Sequence, residues 1–107
     1  MALTRNFKDT VKARAERDPE FRVALLEEAL DAFLNADLDT GKVLLRDYVN
    51  ATVGFEQLGA QLHKSPKSLM RMLSEQGNPR ADNLFAVVAY LKAHEGVSFS
   101  VQRAAHS

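Results

Sequence analysis

"FEQLGAQLHKSPKSLMRML", residues 55–73, holds two short helical patterns broken by His63, Lys64 and Ser65. Phe55, Leu58, Gly59 and Leu62 form the first apolar set, and Leu69, Met70 and Leu73 form the second. Both recur at the three-to-four-residue spacing of one helix face. Ser65 followed by Pro66 is a helix start, since a serine hydroxyl accepts from free N–H groups and proline fits the first turn. Gly59 is small where two tightly joined helices must approach. Leu58 and Leu69 stand where they can pack across the angle. Lys64, Lys67, Ser68 and Arg71 serve no apolar face, and Lys67 and Arg71, four apart, share one side. These are the parts of a helix-turn-helix, in which the second helix offers its outer side chains to base edges in the major groove. They are also the parts of an ordinary helical corner with a solvated basic face.

Outward from this corner the chain reads as helical nearly throughout. Phe7, Val11 and Ala15 mark a helix over about 7–17. Asp18-Pro19 starts another, to about Ala36, with Phe21, Leu25, Ala29 and Phe33 in one row widened by Leu26, Leu30 and Leu34. After a joint at 37–40, a helix over about 41–52 is expected to bury Val43, Leu44, Tyr48 and Ala51. Gln76-Gly77-Asn78-Pro79 is a stop, because glycine suits the left-handed position after a helix and proline forbids continuation. A last helix over about 82–94 would turn Leu84, Phe85, Val88 and Leu91 inward. Then Val97, Phe99 and Val101 alternate with Ser98, Ser100 and Gln102, the period of a strand.

Composition narrows the function. With 107 residues the expectation is one core, and the absence of cysteine removes disulfides and thiol chemistry and fits a reducing cytoplasm. No apolar run has the length of a membrane span, and "MALTRNFKDT" lacks a signal-peptide core, so neither membrane nor export is expected. The formal net charge is zero, but it is unevenly spread. Residues 15–39 carry eight acids against Arg17 and Arg22, whereas residues 55–80 are net +2. Such asymmetry allows two charged faces on one small body. His63, His94 and His106 have no ligand-spaced neighbours, and Ser65 and Ser68 lack an oriented base, so neither metal, cofactor nor enzymatic chemistry is expected. Glu27, Glu28 and Asp31 read as the solvated side of an amphipathic helix.

Three longer stretches carry a resemblance. They are "DPEFRVALLEEALDAFLNADLDTGKVLLRDYV" (18–49), "LGAQLHKSPKSLMRMLSEQGNP" (58–79) and "NLFAVVAYLKAHEGVSFSV" (83–101). Together they resemble the addiction-module antidote proteins, small antitoxin-type regulators with a phage-repressor-like (XRE) helix-turn-helix. The similarity runs from about Thr4 to Val101, and its most specific part is "SLMRMLSEQGNP". There the family shows a Ser-Leu helix ending in Leu-Ser-Glu-x-Gly-Asn-Pro. The resemblance implies a regulator that represses its own operon and neutralises a small RelE-like toxin. By position, Ser65, Lys67, Ser68 and Arg71 match recognition-helix contacts, and Asn78 and Arg80 match the loop that follows. The chain departs from the pattern at His63, where a glycine usually makes the turn. It departs also at Lys64, which replaces an aliphatic core plug, and at Pro66.

The expectation is therefore a mostly α protein. It has a lambda-repressor-like helix-turn-helix in a five-helix bundle, an N-terminal helical extension and a short C-terminal β-strand. The divisions are 1–36 for the extension, 37–103 for the DNA-binding domain and 104–107 for a loose tail. Arg71 would read a base edge, Lys64, Lys67 and Arg80 would meet phosphates, and Ser65 and Ser68 would position the helix. Expected partners are a double-stranded operator, a second copy of the chain and a RelE-like toxin. The alternative is a toxin-neutralising interaction module with little DNA affinity.

Overall fold

A computed structural model describes residues 3–105, with side chains from Thr10 onward. Six helices succeed one another among the described residues: α1 (Leu3–Arg17), α2 (Pro19–Leu34), α3 (Leu38–Ala51), α4 (Gly54–Leu62), α5 (Pro66–Met72) and α6 (Ala81–Glu95). The mostly α reading holds.

The first joints are made by local chemistry. Asp18 accepts the Phe21 N–H at 3.2 Å through Oδ1, with Pro19 opening α2 behind it. That backbone bond, helped by Arg14, holds the Asp18 carboxyl below its ordinary range. The Arg14 guanidinium also lies 4.5 Å from the centre of the Phe21 ring. α2 ends two residues before the expected Ala36, because Ala36 itself takes the left-handed conformation (φ 63°). Asp37 then caps α3 by accepting the Thr40 N–H at 3.2 Å.

α3 is the central helix. Leu45, Tyr48 and Val49 are fully buried and join Leu26 and Ala29 of α2, Phe55 and Leu58 of α4, and Leu69 with Leu73 around α5. Val87, Val88 and Leu91 of α6 close the same core. Four expected core positions are corrected, the first being Met70, which is exposed while Met72 packs against the core. Val43 is exposed, and the buried row runs instead through Lys42, Leu45, Tyr48 and Val49, a row that the lysine hides from a reading by hydrophobicity. Leu34, at the last turn of α2, has left the core row. Phe85 is exposed because Val87, Val88 and Leu91 define the inner face of α6. Phe7 lies outside the described side chains.

The expected strand is also corrected. Residues 97–105 carry no strand, and none exists among the described residues to pair with them. A lone strand has no ladder, so alternation cannot make one by itself. Val97 donates its N–H to the Lys92 carbonyl and rests on the core, while Val101 is fully exposed.

One polar cluster ties the N-terminal helices to the end of α6. Arg22 of α2 donates Nε to both carboxylate oxygens of Glu95 at 3.1 Å and Nη1 to the Ala15 carbonyl of α1 at 2.6 Å. The Tyr48 hydroxyl of α3 donates to Glu95 as well. Burial first, and the Glu95 carboxylate second, push the Tyr48 phenol far above its ordinary value.

Candidate nucleic-acid interface

α4 and α5 meet at a corner built as the sequence reads. Ser65 is extended (φ −72°, ψ 143°), its Oγ accepts the Ser68 N–H at 3.0 Å, and Pro66 opens α5. Gly59 is required by packing, since a β-carbon there would stand 2.6 Å from the Lys64 carbonyl oxygen. Leu58 and Leu69 are both buried in the core beneath the corner.

The turn itself is carried by a residue ill suited to it. His63 takes the left-handed conformation (φ 57°, ψ 44°), and the N–H of the next residue, Lys64, reaches the Gly59 carbonyl at 3.0 Å. A β-carbon in this region costs about 1–2 kcal/mol. His63→Gly should therefore raise stability by about 1 kcal/mol, read as a melting temperature higher by about 4–8 °C. A melting temperature that stays or falls would show that the exposed imidazole compensates for its backbone.

Beside this corner lies a groove of about 570 Å³ between α5 and the start of α6. Six of the seven site residues read from the sequence line it: Lys64, Ser65, Ser68, Arg71, Asn78 and Arg80. Lys67, the seventh, is exposed but does not line the groove. Gln76 and Asn83 also line it and were not foreseen. Their only signal was an amide side chain near a helix end, which is too common to single out. No carboxylate lines the groove. Lys64, Lys67 and Arg71 have no carboxylate partner among the described residues, and Arg80 meets Asp82 at 3.3 Å on the open surface. The groove thus combines three cations with hydroxyls and amides, a donor-rich lining for phosphate oxygens and base edges.

The loop after α5 departs from expectation. Gly77 is not left-handed. α5 ends at Met72, and the Ser74 N–H and hydroxyl both donate to the Arg71 carbonyl. What demands glycine at 77 is space: a β-carbon would collide with the Arg71 carbonyl oxygen and stand 2.6 Å from the Met72 oxygen. Two cations of α3 then take the carbonyls that follow. Arg46 Nη1 donates to Leu73 at 2.7 Å, and Lys42 Nζ donates to Gly77 at 2.6 Å and to Glu75 at 3.2 Å.

Among the described residues, no three His, Asp or Glu side chains come together as a metal set, and no helix is long and apolar enough to cross a membrane. His63 and His94 are both exposed, and His106 lies outside the described residues. Compared with protein-family models, with curated proteins and with solved structures, the chain matches none.

Proposed function

We propose that this protein is a sequence-specific DNA-binding transcriptional regulator that uses α5 as its recognition helix. The observation that supports this reading most is the groove, where Lys64, Arg71 and Arg80 stand with Ser65, Ser68, Asn78 and Asn83 and no carboxylate intervenes. Arg71 is exposed one turn beyond Lys67 and matches the bidentate guanine reader of a major groove. Lys64, Lys67 and Arg80 meet phosphates, and Ser65, held as the cap of α5, orients the helix. The finer reading, an autorepressing antitoxin in the cytoplasm with a lambda-repressor-like DNA-binding domain over 37–103, rests on the family resemblance. A toxin would have a surface of its own on α2, where exposed Glu27, Glu28 and Asp31 have no ion-pair partner among the described residues.

One such corner covers one half-site, so two copies are expected on half-sites about 34 Å apart. Residues 97–101, unpaired in the single chain, offer an edge on which a second copy can form the missing ladder.

The test begins with selection of duplexes from a random pool, followed by titration at one salt concentration. Arg71→Ala should weaken binding to the selected duplex by about tenfold to a hundredfold and relax preference at one base pair. Sedimentation of the complex should count two chains per duplex. A pool that enriches no sequence rejects the regulator, equal affinity of Arg71→Ala makes Arg71 a bystander, and one chain per duplex rejects the dimer.

A further inference from the structure

We propose that Lys42 and Arg46 are positioning residues of the DNA-binding groove: they set the loop after α5 without reaching DNA themselves. The inference rests on the nucleic-acid reading of that groove. Lys42 is 3% exposed, and a buried ammonium is tolerated only where its donors are met. They are met by the Gly77 and Glu75 carbonyls, while Asp39, at 3.8 Å and 88% exposed, adds only a screened attraction. Arg46, one turn further along α3, takes the Leu73 carbonyl. Leu73 is the C-cap of α5, where carbonyls lack helical partners and gather negative partial charge, so a cation suits it. No left-handed glycine closes α5, and the Lys42–Arg46 pair supplies the closure instead.

The consequence lies in what the loop carries. Gln76, Gly77, Asn78, Pro79 and Arg80 line the groove together with Ser68 and Arg71. Lys42 holds that loop at Glu75 and Gly77, Arg46 holds the helix end before it at Leu73, and neither cation lines the groove. Freed of them, the loop would keep its side chains and lose their placement. Affinity falls when contacting groups must be ordered on binding rather than before it.

Lys42→Met keeps the stem and removes the ammonium, and Arg46→Leu removes the second hold at a less buried position. Hydrogen exchange on the free proteins, followed at the hydrogen-bonded amides of Ser74 and Gly77, should quicken by about tenfold or more in each variant. Amides of the α2 and α3 core should exchange as in the parent. Affinity for the selected duplex should fall by about tenfold, with the dependence on salt as steep as in the parent. Arg46→Lys, which keeps a cation, should recover part of both. Unchanged loop exchange in both variants overturns the inference whatever happens to binding. A salt slope reduced by about one per substitution also overturns it, since that marks a direct phosphate contact. Should Lys42→Met unfold, Arg46→Leu decides alone. A parent that binds no duplex rejects the nucleic-acid reading, and the exchange result then still decides whether the two cations hold the loop.

Discussion

Glu95→Ala is expected to lower stability by about 3 kcal/mol. The Glu95 side chain is 7% exposed and accepts from both Arg22 and Tyr48. Removing it leaves a guanidinium 24% exposed with no carboxylate, and a phenol hydroxyl without its carboxylate acceptor in a residue that is fully buried. Losing one partner of a buried ion pair costs about 3–5 kcal/mol, and the partial exposure of Arg22 puts this case at the lower end. For a chain of this length the melting temperature should fall by about 10–20 °C. A fall below about 4 °C would mean that water replaces the carboxylate cheaply.

The same cluster makes a pH prediction. Tyr48 is held neutral in the folded chain above the pH at which it ionises when unfolded, near 10. Its contribution is therefore fully present below pH 10 and is lost as pH rises further. Parent stability should drop more steeply above pH 10 than that of Tyr48→Phe. Parallel curves would uncouple the phenol from folding.

Gly77→Ala is expected to cost about 3 kcal/mol, through crowding rather than backbone conformation. The atoms in the way are the carbonyl oxygens of Arg71 and Met72, which belong to the helix end and cannot swing aside as a side chain does. Nor can the loop retreat freely, because the Gly77 N–H is bound to Ser74 and its carbonyl to Lys42. Gly96 supplies the comparison. It is left-handed (φ 75°) with nothing near its missing β-carbon, so Gly96→Ala should cost only about 1 kcal/mol. Thermal melts of the two variants decide the matter. If Gly77→Ala melts at or above Gly96→Ala, the loop yields more easily than its packing implies. On the proposed DNA-binding reading, affinity of Gly77→Ala for the selected duplex should fall as well, even where the protein is folded, since residue 77 lines the groove.

The sequence by itself determined the elements whose cause is local. Asp18 and Ser65 each cap a helix by accepting an N–H three residues ahead, and Pro19 and Pro66 each sit where the first turn has no use for a proton. Asp37 caps α3 the same way, so the helix begins at Leu38 where a joint over 37–40 was expected. Such interactions span one turn and are readable from neighbouring letters. The candidate site was legible for the same reason: Ser65, Ser68 and Arg71 lie at helical spacing on one short helix, with Asn78 and Arg80 close behind. Only the tertiary structure decided what depends on distant partners. Lys42 is buried because carbonyls 33 and 35 residues away accept from its ammonium, and Arg22 and Glu95 meet across 73 residues. Of Leu44 and Leu45, adjacent and alike, packing chose Leu45 for full burial. Phe85 was left outside because Val87, Val88 and Leu91 had already filled the inner face of α6. Residues 97–101 have the alternation of a strand, but a ladder needs a second edge, and one chain does not contain it among its described residues.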